Sequence, residues 1–233
     1  MSSHIIECIS LSKQYVSKNQ TVNSLEDINL YIDQNETVLI KGRSGAGKST
    51  LLNLMCGLIK PTNGKVLIDN NSISDLSDDN LSELLSDRIG IIFQSFNLLP
   101  TYTVFENIEI ALVPKWSNEN VKENIMLYLE RFNLKDKAAL LPSELSVGQQ
   151  QKVAIIRTLM KQPSIIFADE PTGSVDEETA GDILDQLRNF RLEKQTTLIV
   201  ATHGNIPDSF ADRIYTIGNG RINGHYKSKD LNN

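Results

Sequence analysis

Apolar and polar positions along this chain alternate between two patterns. Short continuous apolar or β-branched runs mark strands, and apolar residues three and four apart mark helices. Ile5–Leu11 reads as a strand, and Leu30–Ile32 and Thr37–Ile40 as two more around the polar turn Asp33-Gln34-Asn35. Gly42–Lys48 is a glycine-rich loop. Ser49–Ile59 carries good helix formers and is expected to stop before Pro61, because proline cannot continue a helix. Val66–Ile68 is another strand, Asp69–Asp87 is polar enough for loop plus helix, and Ile89–Phe93 has the apolar run of a buried strand.

From Ser95 to about Met160 strand-like runs nearly vanish. Val121–Phe132 has apolar residues at Val121, Ile125, Leu127, Leu129 and Phe132, mostly a helical pattern, and Val147–Met160 reads as a second helix. Strands resume at Ser164–Ala168 and Thr197–Ala201, two runs typical of parallel strands covered on both faces. Between them Glu177–Arg191 is amphipathic, with Ile183, Leu184, Leu187 and Phe190 on one side. Ile214–Ile217 and Arg221–Asn223 flank Gly218-Asn219-Gly220 as a hairpin, and the polar tail after Tyr226 is expected to fray. The pattern predicts an α/β protein with a mainly parallel sheet, interrupted by a helical insert.

Composition narrows the picture only a little. The 233 residues, 40% hydrophobic and 22% charged, suit one soluble α/β domain with a sizeable core. A net charge of −6 argues against broad nucleic-acid binding. Cys8 and Cys56 form no CxxC pair, so neither a disulfide framework nor a zinc site is expected, and a reducing compartment fits. No apolar run reaches bilayer length, and Met1–Lys13 lacks a secretory pattern. Work at a membrane would need another protein as the anchor.

Chemistry enters with Gly42-Arg43-Ser44-Gly45-Ala46-Gly47-Lys48-Ser49, which matches G-x-x-x-x-G-K-[ST] between a predicted strand and a predicted helix. Glycines let successive N–H groups turn inward, and the helix that follows adds the positive end of its dipole. Lys48 is placed to neutralise β- and γ-phosphate charge, Ser49 to put its hydroxyl on Mg²⁺, and Thr50 joins the phosphate-binding set. Kinases, GTPases and ATPases share this loop. The strand Ser164–Ala168 ends in Asp169-Glu170, on the sheet edge where ligands of open α/β sheets sit. Such carboxylates can simply terminate a strand. Beside a phosphate loop they become a Mg²⁺ ligand, Asp169, and a general base for water, Glu170.

Leu145-Ser146-Val147-Gly148-Gln149-Gln150-Gln151 separates these classes. Here the sequence resembles the ABC transporter ATPases, whose signature is Leu-Ser-Gly-Gly-Gln, and the resemblance spans about residues 5–225. It implies a P-loop NTPase core with an N-terminal antiparallel β part and an inserted helical subdomain. The core would be residues 1–94 and 161–225, the helical part 95–160, and the flexible tail 226–233. It also implies that Ser146, Gly148 and Gln149 contact the γ-phosphate held by an opposite subunit. Gln94 would be the glutamine that senses Mg²⁺ and links to a permease. Thr172–Asp176 resembles the D-loop, His203 the switch histidine, and Tyr15 the aromatic that stacks on adenine.

The segments Ala168–Gly173, Phe93–Pro100 and Pro142–Ser146 look like the MacB/LolD/FtsE group. The implied function is an ATP-binding and hydrolysing subunit, a homodimer or heterodimer. It would work with Mg²⁺ at the cytoplasmic face of the membrane, powering a separate permease that extrudes peptide, antibiotic or lipoprotein. An FtsE-like ATPase that regulates a membrane partner without transport is the alternative. A soluble ABC ATPase of DNA repair or ribosomes fits the negative charge less well. Two departures stand out: Val147 replaces the first signature glycine, and Lys152 replaces an arginine. Val147 adds bulk near the γ-phosphate, so turnover is expected to survive at a reduced rate.

Overall fold

The structure is a computed structural model that describes residues 4–17, 20–115, 120–204 and 206–228. In chain order its elements are β1 (His4–Ser17), β2 (Gln20–Asp33), β3 (Thr37–Lys41), α1 (Lys48–Met55), β4 (Asn63–Ile68), β5 (Asn71–Ser72), α2 (Asp78–Asp87) and β6 (Ile89–Ile92). These are followed by α3 (Val104–Glu109), α4 (Val121–Arg131), α5 (Val147–Leu159), β7 (Ile165–Asp169), α6 (Glu177–Lys194), β8 (Thr197–Thr202), β9 (Arg213–Gly218) and β10 (Arg221–Lys227). One sheet has four strands in the order β2-β1-β4-β5, all antiparallel. The other has six, β10-β9-β3-β8-β7-β6, parallel except for the β9–β10 hairpin.

Side-chain alternation along the central strands builds two cores. Val38, Ile40, Ile165, Phe167, Ile199 and Ala201 face α1 and the antiparallel sheet. Their neighbours Leu39, Ile166, Ala168, Leu198 and Val200 face α3–α6. Both faces are therefore covered, which is why these strands read as unbroken apolar runs. Each fully buried Ile or Leu here contributes about 1.5–3 kcal/mol. Arg213 ties the two sheets together: it is fully buried, bonds Glu36 at 2.8 Å and Asp33 at 2.9 Å, and lies over the Tyr31 ring.

Several expected boundaries move. The first helix stops at Met55 rather than near Ile59, because Gly57 takes a left-handed φ of 79° and its N–H returns to Leu54 O at 3.1 Å. Strands β1 and β2 extend well beyond the apolar runs. Their outer halves are exposed and held by hairpin pairing such as Tyr15 with Val22, which leaves no periodic signal. Helix α3 had no periodic signal at six residues, although its capping box was written in the sequence. Thr103 N–H donates to Glu106 Oε2 at 2.7 Å, and Glu106 N–H donates to Thr103 Oγ1 at 3.2 Å. Strand β10 continues to Lys227, and Ser228 N–H reaches Asp212 O at 3.0 Å, so the chain is still paired where fraying was expected. The remainder of that tail, 229–233, lies outside the described residues. The Asn219-Gly220 turn has φ of 50° and 73°, the mirror-image turn that two-residue hairpins favour. Among the described residues no helix is long and apolar enough to cross a membrane.

Candidate functional site

The phosphate loop sits between β3 and α1 with its backbone under tight constraint. A Cβ on Gly42 would lie 2.4 Å from Ile217 O, and one on Gly47, whose φ is 103°, would lie 2.7 Å from Leu25 Cδ2. Gly45 and Gly47 both have positive φ, which curls the loop around the start of α1. Gly47 caps that helix without a side chain, so the first N–H groups of α1 have no capping acceptor there. Lys48 is buried, and its ammonium donates to Gly42 O at 2.9 Å and Arg43 O at 3.3 Å.

The adjacent strands end at this loop. Alternation along β7 puts Asp169 on the side of Ile165 and Phe167, which is the side of α1. Glu170 then turns out of the sheet with a left-handed φ of 49°, its N–H bonded to Ala201 O at 3.0 Å. Both Glu170 oxygens are engaged. Oε1 lies 3.4 Å from Lys48 Nζ, and Oε2 lies 2.8 Å from His203 Nδ1 and 3.3 Å from His203 N–H. His203 sits at the end of β8 with its ring half exposed. A buried carboxylate is stable only when paired in this way.

Burial pushes the Asp169 carboxyl above the ordinary aspartate range; the Ser49 hydroxyl opposes that rise, the Glu170 charge adds to it, and Lys48 opposes it. Asp169 Oδ1 is buried without a hydrogen-bond partner. An open carboxylate oxygen beside a hydroxyl suits a hard divalent cation, which takes oxygen ligands and keeps its remaining positions for water or phosphate.

These residues open onto a cleft of about 430 Å³ lined by Ser44, Gly45, Gly47, Lys48, Ser49, Thr50, Gln94, Glu170 and His203, with Ser24 added from β2. That volume falls within the usual range for small-molecule sites. Ser24 donates its hydroxyl to Thr50 Oγ1 at 2.9 Å. Sequence reasoning missed it, because nothing near Ser24 marks a strand and its place depends on pairing across the β1–β2 hairpin. Gly42, Arg43 and Ala46 line a separate cleft behind the loop, against Ile217 and Asn219. Tyr15 does not line the main cleft. Its exposed ring lies 5.3 Å from Lys13 Nζ, and its cross-strand partner Val22 is two residues from Ser24.

The Ser146 segment stands apart. Ser146 caps α5 in a reciprocal box: Gln149 N–H donates to Ser146 Oγ at 3.3 Å, and Ser146 N–H donates to Gln149 Oε1 at 3.0 Å. Ser146 is exposed, Val147 is about half exposed, and Gly148 is packed so that a Cβ would meet Thr179 Cγ2 at 3.0 Å. None of Ser146, Gly148 and Gln149 lines the cleft of its own chain.

Known proteins resemble this chain in sequence and fold. Residues 25–173 match the family described as "ABC transporter". An uncharacterized ABC transporter ATP-binding protein of Methanocaldococcus jannaschii is 39% identical over 94% of this chain and 95% of its own length. The lipoprotein-releasing system ATP-binding protein LolD of Syntrophotalea carbinolica is 36% identical over 94% of this chain and 97% of its own length. A solved dimeric ATP-binding cassette, in a post-hydrolysis state bound to ADP and Pi, superposes with a TM-score of 0.89. It is 37% identical and covers 96% of this chain and 98% of that one. Given the family match, the near full-length identity and the shared fold, this chain belongs to the ABC transporter family, as one of its ATPase subunits.

Proposed function

We propose that the chain binds Mg-ATP on the Gly42–Thr50 loop, closes with a second ATPase subunit around it, and uses hydrolysis to drive a separate membrane permease. The observation that carries this reading is the convergence of Lys48, Glu170 and His203 on one another at the mouth of the phosphate loop. In this arrangement the two Glu170 oxygens are held by Lys48 and His203. A γ-phosphate would compete for both partners, because it carries more negative charge than a carboxylate. Glu170 is then released to accept a proton from the attacking water. Lys48 and His203 stabilise the charge that develops on the transferred phosphoryl group. Ser49, Asp169 and Gln94 would hold Mg²⁺, which neutralises phosphate charge when bound.

The Ser146–Gln149 cap fits a role on another chain's nucleotide, since none of Ser146, Gly148 and Gln149 lines the cleft of its own chain. The dimeric cassette that superposes on this chain supports that reading. In this reading residues 1–94 and 161–225 form the nucleotide-binding core, and 95–160 are the helical part that meets the permease. The chain sits at the cytoplasmic face of the membrane, held there by that permease. Of the cargoes considered, lipoprotein, peptide and antibiotic, the LolD relative's name supports a lipoprotein. The test is ATP hydrolysis by purified protein with and without Mg²⁺, beside Glu170→Gln. The wild-type protein is expected to turn over ATP, and the variant to lose turnover and persist as an ATP-bound dimer. Equal turnover of the two proteins removes Glu170 from the role of base.

A further inference from the structure

Gln151 lies in α5 and is almost completely buried, yet it takes no part in the capping box and lines no part of the cleft. Its amide Nε2 donates to Pro171 O at 2.9 Å, a bond buried throughout. Its Oε1 is also buried and has no hydrogen-bond partner. The amide cannot be turned over, because that would set its oxygen against the Pro171 carbonyl. An apolar residue of the same size would fill this space without the bond to Pro171 O, so that bond is what the amide adds.

Pro171 directly follows Glu170 and has no N–H, so its carbonyl is the only backbone polar group through which this residue can be tied. The Glu170 turn is defined by three bonds: Glu170 N–H to Ala201 O at 3.0 Å, Gly173 N–H to Glu170 O at 3.1 Å, and Gln151 Nε2 to Pro171 O. The first two are local or belong to the sheet edge. The third comes from a helix whose N-terminal residue cap is Ser146, five residues earlier and so about 7.5 Å along the axis. Packing of Gly148 on Thr179 and the Lys152–Asp182 ion pair at 3.0 Å hold the head of α5 against α6.

We propose that Gln151 is a positioning residue: it fixes the Pro171 carbonyl so that Glu170 is aimed, and it makes the aim depend on where the head of α5 sits. This rests on the base role of Glu170 proposed above. A subunit whose Ser146 cap has engaged another nucleotide would in this way set its own Glu170. A shift of about 1 Å at a reacting group can cost on the order of 100-fold in rate, so a single buried bond is enough to gate turnover.

The experiment uses the full chain with Gln151→Met, which keeps the volume and loses the donor. Gln151→Asn, too short to reach Pro171, replaces it if Met is not accommodated. Nucleotide affinity, ATP-dependent dimerisation in a Glu170→Gln background, and turnover are measured together. Expected are unchanged affinity and dimerisation with kcat lowered about tenfold, a split that a general loss of structure does not produce. Unchanged kcat, or parallel losses in affinity, dimerisation and kcat, overturns the proposal. If Glu170→Gln alone turns over normally, the base reading fails first; if it is inactive while the Gln151 variant runs at full rate, only the positioning role fails.

Discussion

Around the phosphate loop, Lys48, Glu170 and His203 are paired with one another inside a cleft, whereas the Ser146 cap at the head of α5 satisfies only itself and faces solvent. The first region is a preassembled site. Lys48 and Glu170 are buried and compensate each other, so an incoming polyphosphate would replace existing interactions instead of creating a site from nothing. The second, in the proposed function, is half of a site. Its N-terminus is capped by Ser146 and packed at Gly148 against Thr179, and none of Ser146, Gly148 and Gln149 lines the cleft of its own chain. In the proposed function, this difference would let one subunit hold nucleotide by itself and leave the full chemistry to the pair.

The sharpest way to break this contrast is to empty the preassembled side. Lys48→Ala should lower turnover by about 10³-fold or more, because it removes a buried cation that would offset the negative charge of the transferred phosphoryl group, and nucleotide retention in equilibrium binding should fall with it. Glu170→Gln comes next. Hydrolysis should drop about 10²–10³-fold while ATP binding persists, and size-exclusion chromatography should find a lasting dimer.

The exposed side should respond differently. Ser146→Ala removes the cap and should cost about 1 kcal/mol of stability in chemical denaturation. It should lower turnover about tenfold and weaken the ATP-dependent dimer, with nucleotide affinity of the single subunit unchanged. An affinity loss equal to that of Lys48→Ala would erase the distinction between the two regions.

The smallest effect lies beneath the cleft. Asp208 bonds Lys41, the last residue of β3 before the phosphate loop, and accepts from Tyr226 O–H at 2.8 Å. The Lys41 ammonium, and then Tyr226, hold the Asp208 carboxyl below the ordinary aspartate range. Its contribution is therefore fully present above the unfolded value and is lost as pH falls through the lower folded one. Denaturation of wild type should lose more stability on acidification than denaturation of Asp208→Asn. Identical slopes would show that this link does not brace the loop.

Much of this was legible along the chain because its causes are local. The Gly42–Ser49 spacing, the apolar run ending in Asp169-Glu170, and the helical spacing of Val147–Met160 are properties of consecutive residues. Backbone sterics and periodic burial act at that range. Even the missed helix α3 was announced by Thr103 and Glu106, a three-residue relation. By contrast, tertiary structure alone placed Ser24 in the cleft and Tyr15 outside its lining. It joined both oxygens of Glu170 to partners 122 and 33 residues away, Lys48 and His203, and it aimed Gln151 at Pro171. Those relations depend on which strands pair and which helices pack together. That choice is made by burial summed over the whole chain, and no short stretch of residues encodes it.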